Sequence, residues 1–295
     1  MIESVPNLSE GRDAGAIERV ADVARASDCR VLDVHQDPDH HRSVLTIVGE
    51  RSVIAEGIFA MVEAATRSID LRRHRGAHPR MGAVDVVPFV PLRGSAIEEC
   101  VDAAKAVGAM IAEGLGIPVF LYGAAATRSD RRNLAKVRRG GLAAVAKRIR
   151  TPGEGPDYGP ARVHPTAGAI AVGARRFLVA YNVNLDTDDV AVAREIASAV
   201  REAGGGLPGV KALGIPLASR RLAQVSMNLT DVGATTVAEA FARVREEASH
   251  RGVRVLESEI VGLAPRVALR GASTEGLRLT RNLAEVVLET RIEAE

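Results

Sequence analysis

The stretch Arg30–Gly49, RVLDVHQDPDHHRSVLTIVG, decides the fold of this chain. Two β-rich runs, Arg30–His35 and Ser43–Gly49, flank a polar loop, Gln36–Arg42, built from Asp, Pro and His. Val, Leu and Ile suit a pleated, half-buried surface, whereas Asp and Pro favour turns, so the stretch predicts two strands joined by a polar turn. Before it, Gly15–Ala26 (GAIERVADVARA) spaces its apolar residues at the helical period, and Met1–Val5 suits a strand. After it, Val53–Ile69 is helical, and Val84–Val90 reads as a buried strand in which Pro88 suggests an edge or a bend. The resulting order, β-α-β-β-α-β, is the signature of a ferredoxin-like unit.

The rest of the chain extends this reading. Ser95 with Glu98 forms a capping box that opens a helix through Leu115, and Val119–Tyr122 follows as a strand. From Thr127 to Arg150 the sequence turns basic, and Thr151–Gly168 is a Gly/Pro-rich loop. A second β-α-β-β-α-β order then follows. It comprises strand Phe177–Asn184, helix Asp188–Ala203, strands Val210–Leu217 and Leu222–Leu229, a helix from a Thr236/Glu239 capping box to His250, and strand Val253–Ile260. Leu277–Ile292 reads as a closing helix. The fold class is therefore α/β (α+β), with two tandem ferredoxin-like subdomains, residues 1–175 and 176–295. Sites commonly form in the cleft between such domains.

Composition removes several functions. Apolar residues make up 46% of 295, enough for a buried core, but aromatics make up only 3% with no Trp. That argues against a stacking platform for single-stranded nucleic acid. A net charge of +2 with interspersed acids and bases gives no general pull toward DNA or membrane. Cys29 and Cys100 are far apart and read as core thiols rather than a disulfide framework or a metal pair. MIESVPNLSEGRD lacks the basic and apolar regions of a signal peptide, and no apolar run approaches the ~18–20 residues that span a bilayer. A cytoplasmic protein is expected.

Five of the seven histidines fall in two loops. One group is His35, His40 and His41, beside Asp33, Asp37 and Asp39; it reads either as a transition-metal site or as a solvated polar turn. No HxxxH or HExxH spacing fixes ligands on one face, so no metal is expected. The other group is His74 and His78, in RRHRGAHPRMGAVD. His78 precedes Pro79 on a constrained loop, with Arg75 and Arg80 near enough to depress its pKa toward the neutral form that a general base requires. The alternative is a basic surface loop with a passenger histidine.

Arg42, Arg80, Arg93 and Arg175–Arg176 stand where loops should converge, and guanidinium groups clamp carboxylates in bidentate fashion. Most are otherwise solvated or paired with acids. Gly159–Gly173 and Gly204–Gly209 match neither GxxxxGK[ST] nor a GxGxxG after a strand, and no GxSxG elbow is present. Nucleotide-phosphate and serine-hydrolase chemistries are not indicated.

Four blocks, VPNLSEGRD, RHRGAHPRMGAVDVVPFVPLRG, GARRFLVAYNVNL and LAQVSMNLTD, resemble the formiminotransferase domain of glutamate formimidoyltransferases, over roughly residues 5–263. The resemblance implies transfer of a formimino group between N-formimino-L-glutamate and tetrahydrofolate in histidine degradation and one-carbon metabolism. It implies two ferredoxin-like subdomains with a folate cleft or tunnel between them, a homodimer, and tetrahydrofolate as co-substrate with no metal. It places the catalytic histidine on His78 and the folate contacts on Gly159, Pro160, His164, Thr166 and Gly168. It also carries binding roles to Arg42, Arg80, Asn182 and Asn184. Where animal members have an acidic residue and a Ser-Thr-Asn run, this chain has His35 and Asp39-His40-His41, and Ala167 replaces a tryptophan. The sequence ends at Glu295 without a cyclodeaminase domain, so release of ammonia from the product would fall to another enzyme. Formyl rather than formimino transfer, and folate binding without catalysis, are the competing functions.

Overall fold

The computed structural model describes residues 1–76 and 80–294. The chain divides into two compact units, Met1–Arg175 and Arg176–Glu295. The first begins with strands β1 (Ile2–Ser4) and β2 (Asn7–Leu8), followed by helix α1 (Ala14–Arg25). The hairpin β3 (Arg30–Asp37) and β4 (Arg42–Gly49) comes next, then α2 (Ile54–Ser68) and β5 (Val84–Pro91). β1 and β2 are one strand interrupted at Val5–Pro6, because both halves pair antiparallel with β4 and with β5. The lateral order β3-β4-β1/β2-β5 is the ferredoxin-like arrangement.

Two further strands widen this sheet. Helix α3 (Ile97–Leu115) leads to β6 (Val119–Gly123), and β7 (Ile170–Ala174) inserts between β5 and β6, parallel to both. β7, IAVGA, follows the expected loop Thr151–Gly168 and overlaps the Gly-rich piece Gly159–Gly173, and the sequence reading has no strand there; its residues are all buried, so its apolar character shows no alternation. Its insertion makes β5 an interior strand, contrary to the edge suggested by Pro88. The Pro88 carbonyl accepts from Val5 N (3.4 Å) and Ser4 Oγ (2.8 Å). In a strand a residue's nitrogen points to the same side as its carbonyl. The missing donor of Pro88 therefore faces the Val5–Pro6 interruption, where regular pairing has already lapsed.

Helices α1, α2 and α3 cover one face of this sheet through Ile17, Val20, Ile58, Met61, Val107 and Ile111. On the other face Val86, Phe120 and Tyr122 pack with Val137, Val145 and Ile149. Those last three belong to α4 (Leu134–Val137), α5 (Gly141–Arg148) and its C-cap. The basic run is thus partly structural: Arg131 is buried, pairs with Asp157 (2.6 Å) and lies over the Phe120 ring (5.1 Å). At α3 the cap sits one residue later than expected. Ala96 is the N-cap, and its N–H donates to Glu99, not Glu98. Cys29 and Cys100 are buried and reduced.

The second unit is a four-stranded antiparallel sheet in the order β11-β8-β10-β9. Its elements are β8 (Val179–Leu185), α6 (Val190–Val200), β9 (Val210–Leu217), β10 (Leu222–Leu229), α7 (Val237–His250) and β11 (Val255–Val261). The Thr236/Glu239 capping box opens α7: Thr236 N donates to Glu239 (2.7 Å), and Glu239 N donates to Thr236 Oγ1 (3.3 Å). Residues 277–292 do not form the expected continuous helix. Arg278 adopts a positive φ, and residues 278–280 lie along the outer edge of β11. There Ser258 N donates to Arg278 O (2.8 Å), and Thr280 N donates to Ser258 O (3.0 Å). Covering an exposed sheet edge satisfies backbone groups that a surface helix would leave to water. Only Leu288–Glu293 closes as a short helix, α8. Among the described residues no helix is long and apolar enough to cross a membrane.

Candidate active site

Several segments of the first unit meet where the chain enters β5. Ser9, just past β2, donates through its N to Ala83 O and through its Oγ to Gly82 O, both at 2.7 Å. From the other side, Ala83 N donates to Ala167 O and Ala169 N to Met81 O, both at 2.9 Å. The approach is too close for side chains: a Cβ on Gly82 would lie 2.1 Å from Ala169 O. One on Gly168, whose φ is +74°, would lie 2.4 Å from Met81 O. Glycine at both positions lets the 164–168 turn pair directly with residues 81–83.

Above this seam three side chains converge. Glu10 is buried at the start of the Ser9–Asp13 loop, and its Oε1 accepts from the N–H groups of Gly11 (2.9 Å), Arg12 (2.8 Å) and Asp13 (3.1 Å). Its two oxygens also face His41 Nε2 (3.0 Å) and His74 Nε2. Burial alone would raise the Glu10 carboxyl, but its contacts with the His74 ring and the backbone N–H groups outweigh it and hold its pKa at about 2. His41 is the last residue of the turn between β3 and β4, in the left-handed region at φ +49°. Its Nδ1 is 2.8 Å from Arg75 O, and His74 Nδ1 is 2.7 Å from Asp70 O. The two imidazoles stack at 4.5 Å. Burial pushes the His41 pKa down despite its bond to the Arg75 carbonyl.

Beside this trio, Asp85 of β5 is 1% exposed and stands among three guanidinium groups. Arg138 contacts it directly, Arg42 approaches to 3.6 Å, and Arg80 adds its charge nearby. Met81 N donates to the remaining Asp85 oxygen (2.7 Å). Arg42 also donates to Asn7 Oδ1, and Arg80 donates to the carbonyls of His40 (2.9 Å) and His41 (3.3 Å). Burial, with Arg138 as neighbour, pushes Arg42 down to about 9, so it remains charged at neutral pH. Three guanidinium groups gather around one buried carboxylate, and guanidinium forks suit an anionic ligand.

Of the residues expected from sequence, Arg42 and Arg80 lie in this region, and Thr166 and Gly168 border it. His164 exchanges backbone bonds with Gly168 (2.7 and 3.0 Å), and its Nδ1 accepts from Ala167 N (3.0 Å). That acceptor role leaves Nε2 as the nitrogen that donates, and burial lowers the ring's pKa. Gly159 is exposed at φ +85°, and Pro160 is half-buried. Arg93 follows the end of β5, and Arg175, just past β7, donates its N to Phe89 O (3.0 Å). His78 lies outside the described residues. In the second unit, Asn182 and Asn184 are buried on β8 and donate to Glu259 and Glu257 (both 2.9 Å). Gln224 of β10 donates to Asn184 Oδ1 (2.9 Å).

Glu10, Asp85 and Arg138 are participants that the sequence reading did not single out. Asp85 carried a usable signal, a lone carboxylate in the apolar run VDVVPF, since a buried acid requires a cation. The two histidine groups, separate in sequence, exchange members: His41 joins His74, while His40 stays with Asp37 (3.5 Å).

Comparison with known proteins agrees along the chain. Residues 1–175 match the formiminotransferase domain, N-terminal subdomain, and residues 180–284 match the formiminotransferase domain. A glutamate formimidoyltransferase of Streptococcus pyogenes serotype M1 is 44% identical, covering 91% of this chain and 90% of that protein. One of Thermoplasma acidophilum is 43% identical, covering 99% and 97%. The formimidoyltransferase-cyclodeaminase of Rattus norvegicus is 39% identical over 92% of this chain and 52% of its own length. This chain belongs to the formiminotransferase domain family.

Proposed function

We propose that this member of the formiminotransferase domain family moves the formimino group of N-formimino-L-glutamate onto N5 of tetrahydrofolate, releasing glutamate and 5-formiminotetrahydrofolate. The observation that carries this reading is identity of 43–44% to glutamate formimidoyltransferases over nine-tenths or more of both chains. The three guanidinium groups around Asp85 support it, because both reactants carry carboxylates and guanidinium groups bind carboxylates.

The chemistry is an exchange of nitrogens at one carbon. N5 attacks the formimino carbon, giving a tetrahedral intermediate, and the N5–C bond forms. N5 must then lose a proton, and the glutamate nitrogen must gain one as its bond to carbon breaks. We assign both transfers to His78 acting as base and then acid, from its place in RGAHPRMG. Arg42 and Arg80 would hold carboxylates of glutamate or of the folate tail, converting encounter into oriented contact. Gly159, Pro160, His164, Thr166 and Gly168 would line folate, and Asn182 and Asn184 would offer amide contacts. The transfer so written uses no metal. The same reading expects a cytoplasmic homodimer.

The test is to incubate the purified protein with N-formiminoglutamate and tetrahydrofolate and follow the folate product. Formation of 5-formiminotetrahydrofolate, at least ~100-fold slower in His78→Ala, is the expected result for loss of a general base. Transfer from N-formylglutamate alone would reassign the donor, and unchanged turnover in His78→Ala would remove the histidine from the mechanism.

A further inference from the structure

We propose that Glu10, His41 and His74 form a binding site for one divalent transition-metal cation of the zinc class, held by the Glu10 carboxylate and the Nε2 atoms of both histidines. The argument starts from hydrogens. The carbonyl oxygens of Arg75 and Asp70 can only accept, so His41 Nδ1 and His74 Nδ1, at 2.8 and 2.7 Å from them, each carry a proton. In a neutral imidazole the other nitrogen is then a bare lone pair. Both bare nitrogens point at the oxygens of Glu10, whose carboxylate is held ionised by three backbone N–H groups.

Donor atoms from two buried groups, Glu10 and His41, and from half-buried His74 therefore meet at one place and call for positive charge between them. The two rings stack at 4.5 Å with both Nε2 atoms turned to the same carboxylate. A divalent cation supplies positive charge where these three donor groups converge. The Nδ1–H···O=C bonds then have a further use: they fix tautomer and ring direction, as outer partners of metal-bound histidines do.

Spacing and donor chemistry agree with this. One ligand atom from each residue lies within 4.8 Å of the others. Ligands at ordinary zinc bond lengths in a tetrahedron stand about 3.3 Å apart, so small side-chain adjustments complete the set. Two imidazoles and a carboxylate favour zinc and its neighbours over calcium or magnesium, which prefer all-oxygen shells. The ion would join three segments far apart in sequence: the loop after β2, the β3–β4 turn, and the stretch after α2 that leads into the RGAHPRMG block.

The experiment uses the full-length protein, stripped with chelator and titrated with Co²⁺ and then Zn²⁺ while visible absorption and elemental content are recorded. One Co²⁺ per chain with a low-symmetry d–d spectrum, displaced by Zn²⁺, is expected. Glu10→Gln, His41→Asn and His74→Ala should each weaken binding at least ~10-fold, while His35→Ala should not. His41→Asn retains an N–H for the Arg75 carbonyl, and circular dichroism melts confirm that each variant is folded. Failure of the stripped wild-type protein to take up either ion, or uptake that all three substitutions leave unchanged, would overturn the proposal.

Discussion

The hairpin Arg30–Gly49 of the first unit and the hairpin Val210–Leu229 of the second have the same plan. Each is an eight-residue strand, a four-residue turn and an eight-residue strand. Each turn ends on a non-glycine residue with positive φ, His41 at +49° and Arg221 at +53°. Each hairpin sits in a β-α-β-β-α-β frame with the same strand order. What fills the turn differs. His41 directs its ring inward to Glu10, whereas Arg221 is exposed and its neighbour Arg220 pairs at the surface with Glu257 (2.5 Å). The conformational slot is a property of the fold; the chemistry belongs to the residue placed in it.

The surroundings of the two sheets differ in the same direction. Adding β7 and β6 buries β5 on both sides, so the first unit holds an ionised cluster, Asp85 with Arg42, Arg80 and Arg138. The second unit covers the edge of β11 with an irregular segment, and its buried polar residues include the neutral amides Asn182, Asn184 and Gln224. Removing one partner from a buried ion pair strands the others and costs about 3–5 kcal/mol, while a neutral buried hydrogen bond costs about 1–3. Asp85→Asn should therefore destabilise the first unit by about 3–5 kcal/mol, and Gln224→Met the second by no more than ~2. Urea unfolding, with hydrogen exchange of β4–β5 and β8–β10 peptides to locate the loss, checks this. Equal costs would erase the contrast between the Asp85 ion cluster and the Gln224–Asn184 amide pair.

Alkaline pH should separate the units next. Both cysteines lie in the first unit, and burial pushes the Cys100 thiol up to about 11, from 9.0. A raised folded-state value means that the native form binds the proton more tightly. The stabilisation is complete below pH 9 and is lost as pH climbs toward 11. Between pH 8 and 10.5 this amounts to about 2 kcal/mol, an upper figure for one thiol. The pH slope of stability should flatten in Cys100→Ala, measured by denaturant unfolding at several pH values. A slope identical to that of the wild type would mean that the thiol is not what weakens the first unit.

Much of this architecture was legible in the sequence because strand and helix periods are local. β9 and β10 match their expected bounds, and the α7 capping box is where Thr236 and Glu239 predict it. The misses have physical causes. β7 is short and buried on both faces, so it lacks the alternation that marks a strand. Residues 277–292 carry helical spacing, but the backbone groups of Arg278 and Thr280 serve the edge of β11. The candidate site was legible in its arginines, Arg42 and Arg80, and in the 164–168 turn. The Glu10–His41–His74 trio was not, since its members come from positions 31 and 33 residues apart that only sheet pairing brings together. Sequence proximity instead grouped His41 with His35 and His40.

The smallest effect bears most directly on the hairpin comparison. A non-glycine residue at positive φ is strained by about 1 kcal/mol, and glycine relieves that strain at the expense of a more flexible unfolded chain. Arg221→Gly should thus be neutral or stabilising by up to ~1 kcal/mol, because the exposed side chain adds little. His41→Gly gains the same relief at the matching slot but forfeits the bonds to Arg75 O (2.8 Å) and Glu10 (3.0 Å). In chelator-treated protein its net effect should be destabilising by about 1 kcal/mol. Backbone terms cancel in the difference between the two variants, so that difference isolates the imidazole, at about 1–2 kcal/mol by denaturant midpoint. If both glycine variants shift stability equally, the His41 ring contributes nothing to holding the turn. The inward-facing histidine would then be a passenger in a slot that any residue could fill.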